Sequence, residues 1–401
     1  MSGVWHVHLA GGQKVAWALD EDIAWARQSL NDKCRWTSLP LARIVHAAWP
    51  AAVSAIPEKA LRGKFVVCQA DNPPSFYLGT QGFDQVAKRV DLWIARSQEA
   101  EEQFGWLGLP VVRVPYCVDP DIFNSLSNRT EIRRSLGLAD DAFVIGNFHR
   151  DSEGADLRKP KLQKGPDIFF EIARSLRRKV PSLTVLLAGP RRHWLLNSLR
   201  AEGIPVVFAG EESGAVDDYP RNILSRARLN ELYQALDACV ISSRWEGGPY
   251  SVLEALAAGC PVISSPVGTA RDVLPYECLF NSVDAAVGLL EKAAQSHELR
   301  TVSASAAEKA AVTHGPSAVA RALQRAYADL PKGAPGIVDT FASLFHSVSG
   351  RVTASRSVDL KNSGIRTSAP AVSGQCLDSR NCRSREDLLL LASQIAELRR
   401  S

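Results

Sequence analysis

The sequence predicts an α/β protein with two domains, each built around a doubly wound parallel sheet. Short apolar β-type runs alternate with helical patterns over residues 4–330, which is typical of βαβ units. Residues 240–273 contain the clearest such unit, in which two β-type runs flank one helix with very short connections. At 401 residues, 46% of them hydrophobic, the chain is long enough for two domains and a tail.

The first domain is predicted to span residues 1–140. Its first strand, residues 4–9, is followed by Gly11 and Gly12 and by an amphipathic segment that ends near residue 30. A glycine pair after a first strand lets a ligand or a second domain approach the backbone, so both glycines are candidate binding residues. The later strands are predicted at residues 42–46, 64–69, 92–96 and 111–115.

Three polar residues, His46, Asp71 and Asn72, follow predicted strands of the first domain. Ligands of open α/β sheets bind at the carboxyl ends of strands, and this position favours a role in ligand binding. A capping or core position explains each residue equally well. Asp71 is the preferred candidate of the three.

The second domain is predicted to span residues 141–330. Its strands are predicted at residues 143–147, 183–189, 206–209, 238–242 and 261–264. After the first of them, a loop contains Arg150 and Lys164-Gly165 and leads into a helix that begins at Pro166. A solvated loop would explain its basic residues, but Arg150 and Lys164 flank strand and helix ends that would face a cleft. This placement favours a functional role for the pair.

The unit at residues 240–273 contains two carboxylates, Glu246 in the turn before its helix and Glu254 in the second turn of that helix. The helix should be buried on most sides, so Glu254 needs hydrogen-bonding partners, and ligand hydroxyls would serve. A helix N-terminus favours phosphate because its amides are unpaired. The residues predicted at that position are Gly247, Gly248, Pro249, Tyr250 and Ser251.

Glu246 and Glu254, followed by EALAAGCPVISSPVG, resemble the E-x7-E motif of retaining GT-B glycosyltransferases. The surrounding sequence is similar to glycosyltransferase family 4, and VRVPYCVDPDIFN resembles the phrase that closes the first domain in that family. The resemblance covers residues 1–330 and implies a GT-B fold, with two Rossmann-like domains facing a cleft. Where the family usually has two glycines and a Glu, this chain has GTARD at residues 268–272.

The resemblance implies transfer of a hexose-type sugar from a nucleotide-diphosphate sugar to a lipid-linked, polysaccharide or other acceptor, with retention of configuration. In the family, the residue matching Glu246 contacts the donor sugar and the one matching Glu254 contacts the ribose. The matching Arg150 and Lys164 grip the diphosphate, and the glycine loop of the first domain faces the donor sugar. The family holds its base near residues 210–221, where no residue of this chain can be assigned to that task.

No cofactor beyond the donor substrate and no bound metal are expected. Asp119-Pro120-Asp121 resembles a metal motif of the other glycosyltransferase fold, but its context predicts a turn. Asp20-Glu21-Asp22 is predicted to be a helix face.

Two other functions stay open. A nucleotide-sugar epimerase of the same fold would turn over the donor with no acceptor present. A non-catalytic nucleotide-sugar-binding protein would act through its tail. The presence of all four residues Arg150, Lys164, Glu246 and Glu254 argues against the second alternative.

Composition narrows the partners. The net charge is +4, and residues 351–401 contain nine basic and five acidic residues, so the tail holds the whole excess. The remainder shows no basic stripe with interleaved aromatics, so no nucleic acid is expected. The N-terminal sequence does not look like a signal peptide, and the eight cysteines have neither paired nor zinc-type spacing. We therefore predict a cytoplasmic protein with reduced thiols.

Residues 331–384 lack periodicity and are predicted to be a disordered linker. Residues 385–400 form a predicted amphipathic helix with Leu388, Leu391, Ile395 and Leu398 on one side. Such a helix suits docking to a partner or peripheral contact with the inner face of a membrane, and a frayed tail is an equal alternative.

Overall fold

The computed structural model describes residues 4–12, 18–78, 80, 82–126, 128–154, 156–214, 216–219, 221–330 and 382–398. Within these ranges the chain forms two parallel sheets, one of six strands and one of five. Strands β1 to β11 are Trp5–Ala10, Cys34–Trp36, Ile44–Ala47, Phe65–Gln69, Leu92–Ala95, Val111–Arg113, Phe143–Asn147, Leu183–Ala188, Val206–Ala209, Ala238–Ile241 and Val262–Ser264. Helices α1 to α16 are Ala18–Leu30, Pro50–Ser54, Glu58–Leu61, Pro74–Tyr77, Phe83–Ala87, Gln98–Trp106, Arg129–Ser135, Pro166–Lys179, His193–Ala201, Arg226–Ala235, Tyr250–Ala257, Thr269–Val273, Val283–Gln295, Glu298–His314, Pro316–Ala328 and Arg385–Leu398.

The first sheet has the strand order β2-β1-β3-β4-β5-β6, and all of its pairings are parallel. Five of these strands overlap the predicted ones, so the alternating pattern is confirmed for this half. The sequence does not predict β2, because its three residues include the charged Arg35 and form no apolar run. The chain just after β3, β4 and β5 lies along one edge of the sheet.

The second sheet has the order β11-β10-β7-β8-β9, again with parallel pairings. The strand that begins this sheet, β7, lies between β8 and β10, so the chain winds outward in both directions from β7. A crevice opens at the carboxyl ends of strands where the winding reverses. This topology brings the loop after β7, with Arg150, next to the loop after β10, with Glu246.

The longest helix of the second half, α14, is not predicted by the sequence. Its buried positions include Ser303, Ala306 and Ala310, which are too small and too weakly apolar to produce a clear helical period. By contrast, α8 begins at Pro166 as predicted and buries large apolar residues, among them Phe169, Ile172 and Leu176. The contrast shows that the period is visible only where the buried side chains are large.

Helix α15 returns to the first sheet. Val319, Leu323 and Tyr327 belong to the same apolar cluster as Val7 and Ile94 of that sheet. The end of the second half therefore packs on the first sheet. The domain boundaries at residues 140 and 330 stay predictions.

The predicted C-terminal helix is confirmed as α16, with Leu388, Leu391 and Ile395 buried. Its apolar face lies against this chain's own two halves, so a frayed end is wrong for residues 385–398. The predicted linker falls mostly on residues 331–381, which lie outside the described residues. Contact with a membrane stays a prediction.

Neither a membrane-spanning helix nor a disulfide is present within the described ranges. None of the helices there combines the length and apolar character needed to cross a bilayer. The seven cysteines in those ranges are free, and six of them are buried. Cys376 lies outside the described residues.

Candidate active site

An ion pair between Lys164 and Glu246 forms the centre of the candidate site. Lys164 Nζ donates to Glu246 Oε1 at 2.5 Å, and Ser243 Oγ donates to the same oxygen at 2.9 Å. The Glu246 side chain is 9% exposed and that of Lys164 is 21% exposed. The structure therefore joins two of the residues that the sequence predicted separately.

The sequence around the pair explains why the two loops meet. Gly165 has φ +61°, and a Cβ there would lie 1.9 Å from the carbonyl oxygen of Ser242, so only glycine fits. Arg244, beside Glu246, forks onto Asp167 at the start of α8, with N–O distances of 2.8 and 2.5 Å. The Lys164-Gly165 turn is thus fixed against the end of β10.

Basic side chains surround the pair. Lys161 forms an ion pair with Glu153 at 3.7 Å, and Arg150 follows β7 in the adjacent loop. Burial and the nearby Arg191 lower the pKa of the Arg150 guanidinium, and Glu246 is close enough to oppose that shift. Burial likewise lowers the pKa of Lys161. Such a concentration of positive charge suits a phosphate-containing ligand. The sequence reasoning noted Lys161 only as loop charge.

Glu254 occupies the second turn of α11, as predicted, and has a protein partner. The Tyr233 hydroxyl donates to its Oε2 at 3.1 Å. Burial raises the pKa of Glu254 to about 7, and the hydrogen bond from Tyr233 opposes that rise. The Glu254 carboxyl group therefore already has a hydrogen-bond donor within the protein, and its predicted contact with the ribose stays a prediction.

Helix α11 begins after Pro249, and its N-terminus faces the loop that follows β7. His149 Nε2 and Ser251 Oγ are 2.5 Å apart. Burial lowers the pKa of His149 well below its ordinary value, with Lys164 and Arg192 adding to the effect, so this imidazole is neutral at pH 7. Within the described residues its Nδ1 is buried with no hydrogen-bond partner. Sequence reasoning missed His149, which only the fold brings to Ser251.

Gly247 and Gly248 are needed where the two domains touch. A Cβ on Gly247 would lie 2.4 Å from the carbonyl oxygen of Asp71, and one on Gly248 would lie 2.5 Å from the Tyr116 ring. The loop that holds Glu246 therefore rests directly on the chain after β4. Close packing between domains is a sufficient reason for both glycines, and their predicted contact with phosphate stays a prediction.

Asp71 faces Glu246 from the first domain. Its carboxyl group accepts hydrogen bonds from the Tyr77 hydroxyl and, at 3.1 Å, from Asn72 Nδ2. Burial raises the pKa of Asp71, Tyr77 and Asn72 oppose that rise, and the negative charge of Glu246 adds to it. Of the three polar residues predicted after strands, Asp71 and Asn72 lie at this contact between domains.

His46 does not join the site. Its Nδ1 lies 2.7 Å from the Tyr327 hydroxyl and its Nε2 lies 2.6 Å from Gln69 Nε2. Burial, with the nearby Arg96, lowers its pKa to about 3, so it is neutral at ordinary pH. The ligand-binding alternative is therefore wrong for His46, whose contact with Tyr327 joins β3 of the first sheet to α15.

Tyr250 has a partner in the first domain, and its predicted ligand contact stays a prediction. Its hydroxyl donates to Asp22 of α1 at 2.7 Å, and Asp22 is also paired with Arg96 at 3.1 Å. The Tyr116 and Tyr250 rings lie 4.3 Å apart, and the Arg96 guanidinium lies over the Tyr116 ring. We name Asp22, Arg96, Tyr116 and Tyr250 the interdomain clamp. Asp22 lies on a helix, as predicted, but the clamp buries it.

The segment 268–272 also contacts the first domain. The side chain of Asp272 accepts from the Gln98 amide at 2.9 Å, at the start of α6, and Arg271 lies 3.7 Å from Glu99. The Gly268 amide donates to Glu99 at 3.3 Å. The departure of GTARD from the family's usual two glycines and Glu is therefore accompanied by contacts that hold the two domains together.

Gly11 and Gly12 lie on the first domain with neighbours of their own. Gly11 has φ +101°, and a Cβ there would lie 2.7 Å from the Cβ of Ala52, while Gly12 lies beside Ile23 and Asp20. Packing within the first domain explains Gly11. Their contact with a donor sugar stays a prediction.

Two arginines follow β8, and both have acidic partners. Arg192 is fully buried, with Nε 3.2 Å from Asp151, and its Nη2 donates to Asn147 at 2.7 Å. Arg191 pairs with Asp217 at 2.7 Å and lies over the Tyr219 ring. The loop at residues 210–221 is thus fixed near the basic cluster, a placement that the sequence did not reveal.

Within the part of the chain that the structure describes, no three His, Cys, Asp or Glu side chains are grouped to hold a metal ion. The Asp121 amide donates to Asp119 Oδ1 at 3.0 Å, so the predicted turn at Asp119-Pro120-Asp121 is confirmed. Metal independence stays a prediction.

With this geometry established, known proteins identify the architecture. Residues 156–296 match the family model of glycosyl transferases group 1. This segment is similar to the group 1 glycosyltransferases, and the fold is GT-B. Anabaena HepE in complex with UDP and glucose superposes with a TM-score of 0.63 at 16% identity, covering 81% of this chain and 99% of HepE. The predicted resemblance and the predicted fold class are confirmed.

Curated relatives support the group 1 match in sequence. The lipopolysaccharide core biosynthesis mannosyltransferase LpsB of Rhizobium meliloti is 28% identical over 192 residues, which are 47% of this chain and 48% of LpsB. The D-inositol 3-phosphate glycosyltransferase of Actinosynnema mirum is 29% identical over 198 residues, 47% of this chain and 44% of the relative. The matched region is therefore about half the length of each of these relatives.

Proposed function

We propose that the protein is a retaining, metal-independent glycosyltransferase. It moves a hexose-type sugar from a nucleotide-diphosphate sugar to a saccharide, polysaccharide or lipid-linked acceptor. The observation that supports this most directly is the Lys164–Glu246 pair, which lies within a basic cluster and faces Asp71 across the domain contact. Its relatives LpsB and the D-inositol 3-phosphate glycosyltransferases are named as sugar transferases.

In this proposal the donor replaces the internal ion pair. The diphosphate binds Lys164, Arg150 and the N-terminus of α11, where positive charge and helix amides stabilise an anion. Glu246, released from Lys164, accepts hydroxyls of the donor sugar, and Glu254 accepts the ribose hydroxyls. These roles orient the substrate rather than transfer protons.

In the proposed chemical step, retention of configuration arises because the acceptor attacks the anomeric carbon from the face that the diphosphate leaves. The bond between the anomeric carbon and the diphosphate oxygen breaks, and the diphosphate leaves with the electron pair. The acceptor oxygen attacks from the same face, and its proton passes to the departing phosphate. Asp71 helps to position the acceptor hydroxyl. The basic cluster lowers the barrier because charge grows on the leaving group.

The test is turnover of nucleotide sugars with candidate acceptors, followed by release of the nucleoside diphosphate and by proton NMR of the product. We expect release that requires an acceptor, a product with the donor's anomeric configuration, and the same rate in EDTA. An inverted anomer would refute retention, and loss of rate in EDTA would refute metal independence. Conversion of the donor sugar without acceptor would instead support the epimerase alternative.

Glu254 gives the binding of the donor a pH dependence. Its pKa of about 7 means that the free protein is largely protonated at Glu254 below that pH, whereas an ionised carboxylate binds ribose hydroxyls best. Affinity for a nucleotide sugar should therefore be constant above pH 7 and fall by up to ~10-fold per pH unit below it. Calorimetry on wild type and Glu254→Gln measures this. Glu254→Gln should remove that component of the pH dependence, and an unchanged profile in the variant would assign it to another group.

A further inference from the structure

Helix α16 is a well-formed element with one buried face. Ser384 Oγ accepts from the Asp387 amide at 3.2 Å, and Asp387 Oδ2 accepts from the Arg383 amide at 3.0 Å, so these two side chains cap the N-terminus of the helix. Leu388 is 0% exposed and Ile395 1% exposed. On the same helix Leu390 is 63% exposed, so the helix has a distinct inner and outer side.

The inner side lies across the boundary between the two domains. Leu388 belongs to the apolar core of the first domain, while Leu391 and Ile395 pack against Trp245 of the second. Phe76 of α4 lies beside Trp245, with ring centroids 6.4 Å apart. Trp245 immediately precedes Glu246, so the helix rests on the loop that presents the central carboxylate.

A small cavity lies beneath the helix. Leu391 and Ile395 line it from above, and Ser75 and Glu246 line it from the two domains. Its volume is about 10 Å³, which is about the space needed for one water molecule. A sugar ring cannot enter this space while the helix is docked.

We propose that α16 is a lid over the small cavity beside Glu246, and that an acceptor reaches Glu246 from this side only after the lid undocks. The inference rests on the proposed glycosyltransferase function. A helix of this length is only marginally stable in water by itself, so undocking and loss of helical order are coupled. When docked, the lid excludes water from the reacting sugar, which limits hydrolysis of the donor.

The test uses the full chain with Leu391→Asp/Ile395→Asp, which places charges on the inner side. Leu390→Asp is the matched control, because it adds a charge to the exposed side of the same helix. A second variant, Ser384→Ala/Asp387→Ala, removes the two side chains that cap the N-terminus of α16 and leaves the inner side of the helix unchanged. Hydrogen exchange followed by mass spectrometry reads the amides of α16, α4 and residues 244–248.

If α16 is a lid, both double variants should lose protection in α16. They should also exchange at least ~10-fold faster in α4 and residues 244–248. Leu390→Asp should match wild type. Donor hydrolysis without acceptor should rise several-fold in both double variants. In that reaction a water oxygen bonds to the anomeric carbon, the diphosphate leaves with the electron pair, and the water proton is released to the leaving phosphate or solvent.

The lid would be refuted if α16 lost protection while α4 and residues 244–248 kept theirs. Equal changes in Leu390→Asp would also refute it, because the effect would then not depend on the inner face. The exchange measurement needs no donor. If no nucleotide sugar binds, the proposed function fails, while hydrogen exchange still decides whether α16 covers the cavity beside Glu246.

Discussion

Replacing Lys164 with Met should lower kcat for sugar transfer by about 10²- to 10³-fold, because it removes a fixed cation from the place where leaving-group charge develops. The residue is partly buried, 21% exposed, and already contacts a carboxylate at 2.5 Å, so water screens its charge weakly. Steady-state kinetics with a saturating nucleotide sugar measures the effect. Glu246→Gln should lower kcat by a similar factor, because the hydroxyls of the donor sugar lose the charged carboxylate that accepts their hydrogen bonds.

Lys159→Met is the matched control for this experiment. Lys159 lies on the same loop but is exposed, and it should change kcat by no more than about twofold, since exposed charges are screened by water. If Lys164→Met transferred sugar at the wild-type rate, the diphosphate would not bind at this ion pair. A similar loss in both variants would point to a general effect of loop charge.

Replacing Asp22 with Ala should destabilise the protein by about 3–5 kcal/mol, because the buried Arg96 guanidinium loses its carboxylate. Both side chains are 5% exposed and their charged atoms are 3.1 Å apart. The Tyr250 hydroxyl loses its acceptor in the same change. Urea unfolding followed by circular dichroism measures the shift.

The control for the clamp is Glu212→Ala. Arg200 forks onto Glu212 at 2.9 and 2.7 Å, but both side chains are about half exposed, so this pair should contribute no more than about 1 kcal/mol. Asp22→Asn/Arg96→Met should recover part of the stability lost in Asp22→Ala, because it removes the unpaired charge. Equal losses in Asp22→Ala and Glu212→Ala would contradict the buried ion pair as the source of stability.

The sequence was most informative where the signal is local. The strand β7 and the start of α8 lie where the apolar patterns place them, because period and punctuation are visible within a few residues. The spacing of Glu246 and Glu254 pointed to the segment that the group 1 family model covers. Lys164-Gly165 was recognised for the same reason, since it directly precedes the helix that begins at Pro166.

The sequence was least informative where partners lie far apart along the chain. Asp22, Arg96 and Tyr250 come from separate elements, and no local pattern indicates that they meet. His149 finds Ser251 only because β7 and β10 are neighbours in the second sheet. The amphipathic period of α16 predicted a helix with an apolar face, but the surface that this face would cover depends on the position of Trp245. Such contacts follow from the topology rather than from the pattern of one segment.

The central claim is that a nucleotide sugar binds where Lys164 now meets Glu246, with Arg150 and Glu254 on the same ligand. The most direct measurement is a crystal structure of the complex with whichever nucleotide sugar stabilises the protein. We expect the diphosphate between Lys164, Arg150 and the N-terminus of α11, the sugar at Glu246, and the ribose at Glu254. A diphosphate bound elsewhere, with the Lys164–Glu246 ion pair intact, would contradict the claim.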